Sequence, residues 1–521
     1  NSIAGQIADT RPARLVPSRR ATRCGAHLAC CAPEVFRMPV APDPFAPSTP
    51  PPRPASHRWK SAPPSSSVAR ASIRKASFAA RVVSLSLLPA FVLACGHFGG
   101  GTDERGRAKS EGVFEIAMIP DTQNYVDYSH QRAEGFVFDA SHLLMEQMRW
   151  IASRSVAKGG KVAFVAAVGD VWQHQTLPID KTHADRGMGR VANPLFAGHF
   201  DPTPKTQAVE IPKAIEAYQI LADAEMPFGV APGNHDYDAM WNSDQFPPNT
   251  SKPRQELTWS VEDIGMLHVG GLDNFRSAFG DDKPFFKDKP WYVASYRGGA
   301  NSAQLFEAGG YEFLHFALEM QAGDDVIAWV ESVMKQYPGR PTILSTHDYL
   351  DPRGERRPNP IIDLARVDPQ EHNSAEDLFR ELIAKNDQIF LVLCGHHHGQ
   401  SFRVDENEQG HEVYQMLADY QDRGQAGLDS GQPLDPFLRG PTGIGDGWLR
   451  MLRFHTGGLA PRIDVRTYST HYRALSGELE KYADWYRPHE QPNMSDEEFL
   501  AAEEFTIPLV DFRERFGPPK Y

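Results

Sequence analysis

Short apolar runs and segments of helical periodicity alternate along the chain from residue 113 to residue 470. Apolar runs bounded by turn residues are typical of buried strands, whereas apolar residues spaced three and four positions apart are typical of a buried helix face. The alternation therefore predicts a layered α/β domain. The predicted strands are 114–119, 162–168, 266–270, 311–316, 342–344, 413–417, 448–454 and 463–468, and a further apolar run begins at 391.

Three helices are predicted from their apolar faces. The faces consist of Leu144, Met148 and Ile151; of Ile211, Ile215, Tyr218 and Ala222; and of Val326, Val330 and Val333. A fourth helix is predicted to begin at Ser374, because Asp377 three residues later completes a capping-box pattern. Between these elements lie two polar segments, 173–209 and 349–373, whose Gly, Pro, His and Arg content predicts loops at the rim of a binding site.

The C-terminal tail, residues 476–521, is predicted to pack on this domain. Ser495 and Glu498 form another capping-box pattern. The apolar side chains that follow alternate as they would in an edge strand. They are Phe505, Ile507 and Leu509.

The first 67 residues differ in composition from the rest of the chain. They hold 13 of the 42 prolines and are also rich in Arg, Ala and Ser. Such a composition cannot bury a core and predicts disorder. We interpret residues 1–67 as an upstream artefact or a dispensable extension, with the native start near Val68.

Residues 68–95 have the features of a bacterial signal peptide. A basic stretch precedes the apolar segment 82–94, which is too short to span a bilayer as a stable helix. Val92-Leu-Ala-Cys95 resembles a lipobox, in which the cysteine is acylated and becomes the mature N-terminus. The alternative is a buried apolar helix that ends in an incidental cysteine. Residues 96–112 are then a flexible tether, and we expect a lipid-anchored protein of the bacterial cell envelope, on the periplasmic or outer surface.

Charge is distributed unevenly along the chain. Residues 1–110 carry 16 Lys and Arg against 5 Asp and Glu, which leaves 38 against 62 in the remaining residues. An acidic body argues against nucleic acid as the main partner, because phosphate backbones recruit basic surfaces. Of five cysteines only Cys394 lies in this body, so we expect no disulfide framework there and interpret Cys394 as a small buried apolar residue.

Polar signatures follow five of the apolar runs. In α/β sheets ligand sites form at the carboxyl ends of strands, so these five signatures predict one shared site. Its members are Asp121 and Gln123; Asp170; Asn234, His235 and Asp236; His347; and His396 and His398. Imidazole, carboxylate and amide groups in this number predict a metal centre.

In this order the motifs resemble those of the calcineurin-like metallophosphoesterases, whose usual series is Asp-x-His, Gly-Asp, Gly-Asn-His-Asp/Glu, His and Gly-His-x-His. The resemblance covers about residues 113–470. It implies a four-layer α/β/β/α sandwich of two mixed sheets flanked by helices, with a catalytic domain at 113–475 and two metals at the strand ends.

The resemblance also implies a role for each residue. Asp170 resembles the bridging carboxylate. Asp121 and His398 look like ligands of the first metal, and Asn234, His347 and His396 like ligands of the second. His235 resembles the histidine that contacts substrate and protonates the leaving group, with Asp236 orienting its ring. His174, four residues after Asp170, is a further candidate for substrate binding.

One motif departs from the family series, because Asp121-Thr122-Gln123 stands in place of Asp-x-His. A glutamine oxygen binds divalent ions less tightly than imidazole and favours Mn, Fe or Ca over Zn. We therefore expect a first metal that exchanges readily, and we interpret the motif as a subtype of the family.

The expected function is hydrolysis of phosphate esters by a bridging hydroxide between two divalent ions (Mn, Fe, Zn or Ca). A histidine with an ordinary pKa near ~6.5 can protonate the departing alkoxide. A broad-scope phosphatase acting on small phosphate esters is the first interpretation. Two alternatives remain: a phosphodiesterase with the same site, and a non-catalytic, metal-stabilised surface lipoprotein that binds a ligand.

Overall fold

The computed structural model describes residues 112–196, 201–253, 256–258, 260–432 and 443–521. The predicted extension, the signal peptide with Cys95 and all of the tether except Gly112 lie outside the described residues. No helix in the described ranges is both long enough and apolar enough to cross a membrane.

The described residues form seventeen strands, and the predicted strands are among them. In chain order they are Val113–Ile119 (β1), Val162–Ala167 (β2), Arg190–Val191 (β3), Phe228–Val230 (β4), Ala239–Ser243 (β5), Leu267–Gly270 (β6), Tyr292–Tyr296 (β7), Asn301–Ala308 (β8), Tyr311–Ala317 (β9), Thr342–Ser345 (β10), Ile389–Cys394 (β11), Gly399–Glu406 (β12), Glu412–Asp419 (β13), Trp448–His455 (β14), Arg462–Ser469 (β15), Ala474–Leu475 (β16) and Phe505–Pro508 (β17).

The α-helices of the described residues are mostly short. In chain order they are Gln123–Val126 (α1), Ser141–Ser153 (α2), Lys181–Asp185 (α3), Ile211–Asp223 (α4), Val261–Ile264 (α5), Asp273–Phe279 (α6), Asp324–Gln336 (α7), Leu364–Val367 (α8), Ala375–Leu378 (α9), Gln425–Asp429 (α10), Tyr482–Glu490 (α11), Asp496–Ala501 (α12) and Phe512–Phe516 (α13). The predicted starts at Ser374 and Ser495 are confirmed, because each serine side chain accepts the backbone N–H three residues on.

The first sheet has the order β16-β15-β14-β1-β2-β4, and β17 pairs with β15. Strands β1, β2 and β4 run parallel to one another, whereas β14 is antiparallel to β1. The second sheet has the order β12-β13-β11-β10-β9-β8-β7, with β9, β10, β11 and β13 parallel. Strands β3, β5 and β6 form a small third sheet.

The two large sheets pack face to face through a shared apolar core. Ile116 and Phe164 of the first sheet belong to the same buried cluster as Phe313 and Leu391 of the second. Because successive strand residues point to opposite faces, Val392 faces the other way, into a cluster formed with helix α7. On the other side, Trp150 of α2 stacks on Tyr468 of the first sheet. The chain is therefore an α/β protein of mixed sheets flanked by helices, as predicted at this coarser level.

The tail adds an edge strand, as predicted. Strand β17 pairs antiparallel with β15, and Ile507 and Leu509 are buried. The rim segment 173–209 is more regular than expected, since helix α3 and strand β3 lie within it. Asp180 explains the helix, because its side chain caps the first turn.

Candidate metal centre

Both large sheets bring the carboxyl ends of their parallel strands to the predicted site. Strands β1, β2 and β4 are followed by polar residues, and so are β10 and β11. The structure brings together seven of the predicted residues through direct contacts. They are Asp121, Gln123, Asp170, Asn234, His235, His347 and His396.

His347 lies at the middle of this group and is fully buried. Its Nε2 atom is 3.2 Å from Asp170 Oδ2, 3.1 Å from Asn234 Oδ1 and 3.2 Å from His396 Nδ1. Its Nδ1 atom is 2.9 Å from the carbonyl oxygen of Val168. A carbonyl that accepts from Nδ1 leaves Nε2 to face the centre, which is the usual arrangement of a metal-binding histidine.

Asp170 connects the residues around His347 with Gln123. Its Oδ1 atom accepts the backbone N–H of His235 at 2.8 Å, and its Oδ2 atom accepts from Gln123 Nε2 at 3.1 Å. The backbone of Asp170 adopts φ +51°, a left-handed conformation that a non-glycine residue rarely adopts. Burial acts to raise the pKa of Asp170, but the imidazoles of His347 and His235 outweigh it and hold the pKa below its ordinary value.

Charge in the centre is balanced by His347. Burial acts to lower the pKa of His347, but the carboxylates of Asp170 and Asp121 raise it to about 10. The raised pKa of His347 therefore reflects its position beside two buried carboxylates. Burial holds the pKa of His396 well below its ordinary value, so that this imidazole is neutral, the form that binds metals.

Two further buried carboxylates, those of Asp121 and Asp419, belong to the centre. Asp121 Oδ2 accepts the backbone N–H of His396 at 3.1 Å. Asp419, at the end of β13, has its side chain close enough to raise the pKa of Asp121, although burial contributes more. Gly395 leaves room for the side chain of Asp121, because a Cβ atom at residue 395 would overlap the Asp121 carboxylate. Two buried carboxylates side by side are costly unless a cation lies between them.

Gln123 takes part in an amide pair. Its Nε2 atom donates to Gln421 Oε1, and the Gln421 amide also contacts His398 Nε2. The Nδ1 atom of His398 is 2.7 Å from Asp422 Oδ2, which fixes the ring with Nε2 towards the two glutamines. His396 thus contacts His347, whereas His398 contacts Gln421, and the assignment of one histidine to each metal stays a prediction.

The donors present fit divalent cations. In the centre, four buried side-chain atoms have no hydrogen-bond partner within the described residues: Asp121 Oδ1, Gln123 Oε1, His396 Nε2 and Asp419 Oδ2. Buried polar atoms are nearly always satisfied, so a group of unsatisfied acceptors indicates a missing positive partner. Asp170, His347 and His396 also have ligand atoms within 4.8 Å of one another.

Asp419, Gln421 and Asp422 were not predicted. Asp419 is the last residue of β13, which runs parallel to β11 in the same sheet, and Gln421 and Asp422 follow it. The rule that identified the other five signatures, a polar residue at the end of an apolar strand, also applies to Asp419. The signal was therefore present in the sequence at Leu417-Ala-Asp419.

The expected contact between Asp236 and the ring of His235 is corrected by the structure. Asp236 accepts backbone N–H groups with both oxygens, from Val171 and from Gly233, each at 2.8 Å. The Nδ1 atom of His235 lies 2.6 Å from the carbonyl oxygen of Gln173, which holds the ring in place of Asp236. Asp236 thus shapes the turns around Asp170 and Asn234, because backbone donors at fixed positions demand a carboxylate acceptor.

His174 lies in another buried group. Its Nδ1 atom is 2.7 Å from Glu210 Oε1, and its ring packs against Tyr128. Among the described residues, no contact joins this ring to the metal centre. Its predicted role in substrate binding stays a prediction.

No known family model matches the chain. The chain is 26% identical over 266 residues to the uncharacterized protein YvnB of Bacillus subtilis (strain 168). The similar region covers 50% of this chain and 16% of that protein, so the chain spans about a sixth of the relative's length.

Proposed function

We propose that this protein is a calcineurin-like metallophosphoesterase that hydrolyses phosphate esters with two divalent metal ions. The observation that carries the proposal is that Asp170, Asn234 and His396 each lie within hydrogen-bond distance of His347, although the four residues follow four different strands. Two face-to-face mixed sheets with helices on their outer sides support the four-layer sandwich of that family.

The donors divide into two sets that share Asp170. Asp121, Gln123 and His398 would hold the first ion, with Asp419 as a further carboxylate; Asn234, His347 and His396 would hold the second. Divalent ions at such a pair of sites neutralise phosphoryl oxygens and make water a better nucleophile. Asp170 would be shared by the two ions, because its Oδ2 atom contacts Gln123 of the first set and His347 of the second.

The position of His235 supports a role as general acid. The Gln173 carbonyl accepts from Nδ1, and Nε2 lies 3.9 Å from Asp170 Oδ2, on the side of the centre. When the ester P–O bond breaks, the proton on Nε2 can move to the departing oxygen. Such transfers contribute roughly 100- to 10,000-fold to rate.

A broad-scope phosphomonoesterase is the first expectation. A diester needs room for a second substituent, and the rim segments 173–209 and 349–373 decide how much room there is. An experiment is therefore needed to distinguish the phosphomonoesterase from a phosphodiesterase and from a non-catalytic, ligand-binding lipoprotein.

The test measures hydrolysis of para-nitrophenyl phosphate and bis-para-nitrophenyl phosphate by the metal-loaded protein, with Mn and with Zn. His235→Ala should lower kcat by roughly 100-fold or more while the metal content stays unchanged. Asp170→Asn should lose both metal and activity. The exposed His142→Ala, on helix α2, is the matched control and should behave as wild type.

Each outcome decides between the interpretations. Unchanged turnover in His235→Ala would overturn the role given to this histidine. A loaded wild-type protein that hydrolyses neither ester would favour the non-catalytic interpretation. Faster hydrolysis of the diester would favour the phosphodiesterase.

A further inference from the structure

A second histidine cluster lies in the molecule and shares no residue with the candidate metal centre. His183 of α3, His268 of β6 and Asp368 after α8 have ligand atoms that all lie within 4.8 Å of one another. The ring of His268 is 5.0 Å from that of His183 and 5.8 Å from that of His372, and is nearly perpendicular to both. Three segments that are far apart in sequence thus meet at one point.

His268 is the residue that calls for an explanation. It is fully buried, and neither of its ring nitrogens has a hydrogen-bond partner within the described residues. A buried imidazole normally donates with one nitrogen and accepts with the other. The ring of Trp241 lies 5.0 Å from His268 and 5.4 Å from His183, and closes one side of the cluster with apolar surface.

The neighbours of His183 and His372 are arranged as they are around metal-bound histidines. Asp180 Oδ2 is 2.5 Å from His183 Nδ1, and this places His183 Nε2 towards Asp368 Oδ2 at 3.8 Å. His372 Nδ1 is 3.3 Å from the carbonyl oxygen of Gln321. A carboxylate or carbonyl acceptor on one ring nitrogen, with the other free for the metal, is the usual outer shell of a zinc site.

The backbone leaves space for this arrangement. Gly270 of β6 lies against the pair formed by Asp180 and His183, where a Cβ atom would overlap both side chains. Two ligands bound to a tetrahedral zinc at about 2.1 Å lie about 3.4 Å apart. The separation of 3.8 Å between His183 Nε2 and Asp368 Oδ2 is therefore close to what zinc requires.

Arg186 also contacts the cluster. It donates to both oxygens of Asp368, each at 2.7 Å. This pair explains the burial of Asp368, but it gives His268 no partner. Each carboxylate oxygen retains a second lone pair, so the contact with Arg186 is compatible with a metal bond from Asp368.

We propose that His183, His268 and Asp368, with His372 as the fourth donor, bind a structural zinc ion. Imidazole-rich sites with one carboxylate suit zinc, and structural zinc sites have four protein ligands. The ion would clamp helix α3, strand β6 and the segment 368–372. The two rim segments, 173–209 and 349–373, each contribute to this clamp.

The clamp is connected to the candidate metal centre through hydrogen bonds. Gln321 bonds His372 through its carbonyl, and its side chain donates to Asp348 Oδ2 at 2.8 Å. Asp348 Oδ1 lies 3.0 Å from His397 Nε2, next to His396. Loss of this zinc ion should therefore make the rim segments 173–209 and 349–373 more mobile before it affects the ligands of the candidate metal centre.

The test counts zinc per chain in the full-length protein after loading and dialysis, by plasma mass spectrometry. His268→Leu should lose one zinc ion per chain relative to wild type. The matched control is His315→Leu, because His315 is equally buried but has partners on both ring nitrogens, Gln304 at 2.7 Å and Ser345 at 2.9 Å. It should retain the zinc content of wild type.

A second variant keeps the test decisive where His268→Leu does not fold. His183 has a side chain that is 13% exposed, and His183→Ala should also lose one ion. Zinc-edge X-ray absorption of Asp170→Asn, which should lose the ions of the candidate metal centre, should show a zinc bound to imidazole nitrogens. Folded His268→Leu and His183→Ala proteins that both keep the wild-type zinc content would overturn the proposal, whether or not the protein hydrolyses phosphate esters.

Discussion

Gln123 brings a neutral amide to the position at which the family series has an imidazole. Its Nε2 atom bonds Asp170 and Gln421, whereas Oε1 has no partner among the described residues. The two ends of an amide have nearly the same shape, so a half-turn would present Oε1 to an ion beside Asp170. Amide oxygen is a weaker donor than imidazole, which explains why we expect a readily exchanged first metal.

Gln123→His should tighten binding of the first ion, because imidazole replaces the amide at the same position. We expect roughly a tenfold or larger decrease in Kd for zinc, in the range by which groups around a metal usually change its affinity. Titration with a graded chelator measures this. Gln123→Leu is the matched control and should lower the affinity for the same ion. Two tightly held zinc ions in the wild-type protein would contradict the interpretation of Gln123.

Asp446 provides a residue-scale prediction away from the metals. It is buried and accepts hydrogen bonds from the hydroxyl of Tyr486 at 2.9 Å and from the N–H of Ala426 at 3.0 Å. Burial raises the pKa of Asp446 to about 7 from its ordinary 3.8, more than these donors lower it. The folded state therefore binds this proton more tightly than the unfolded state does.

Stability contributed by Asp446 should be fully present below its ordinary pKa of 3.8 and be lost as pH rises towards about 7. Asp446→Asn cannot titrate, so its free energy of unfolding relative to wild type should increase across this window, by up to roughly 4 kcal/mol. Urea unfolding of both proteins at several pH values measures the difference. A difference that does not change with pH would contradict the assignment.

At the scale of elements, the tail contributes a strand and a helix to the main core. Strand β17 extends the first sheet, and Phe512 of α13 packs into the core formed between the two large sheets, in contact with Phe390. Arg515 of the same helix is almost fully buried and donates to the carbonyl oxygens of Asp387, Glu412 and Ile389. These contacts make the tail part of the folded unit.

Phe512→Ala should lower the free energy of unfolding by about 3–5 kcal/mol, because it leaves a cavity in a well-packed core. Val510 is two residues away and 68% exposed, so Val510→Ala is the matched control and should change stability by less than about 0.5 kcal/mol. Urea unfolding compares the two. Equal effects would show that the tail does not pack as described.

At the scale of the molecule, a buried ion network joins both large sheets and the tail. Arg450 of β14 and Arg423, which follows β13, both pair with Glu503, at 3.1 Å and 2.8 Å. Arg423 also pairs with Glu490 of α11 at 2.7 Å. All four side chains are at least 95% buried, so each charge depends on the others for compensation.

Arg423→Met should lower the free energy of unfolding by about 3–5 kcal/mol, because Glu490 loses its cation and Glu503 one of its two. The matched control is Arg487→Met, which breaks a half-exposed pair with Asp496 and should change stability by less than about 1 kcal/mol. Thermal and urea unfolding measure both. A loss in Arg423→Met no larger than in the control would contradict the described network.

The sequence by itself determined many of the strands, two of the helix faces and five of the polar strand ends. The spacing of apolar side chains shows which face of an element is buried. This spacing can be recognised within a short stretch of sequence, as at Leu144, Met148 and Ile151. The rule that ligands gather at carboxyl ends of strands then predicted that Asp121, Asp170 and His347 would meet.

Only the tertiary structure decided which distant segments touch. Gln421 lies almost 300 residues from Gln123, and His183, His268 and Asp368 come from three separate segments. No local period encodes such contacts, because they depend on how the sheets and loops pack. For the same reason Gln173, and not Asp236, was found to hold the ring of His235: several acceptors lie close in sequence, and packing selects one.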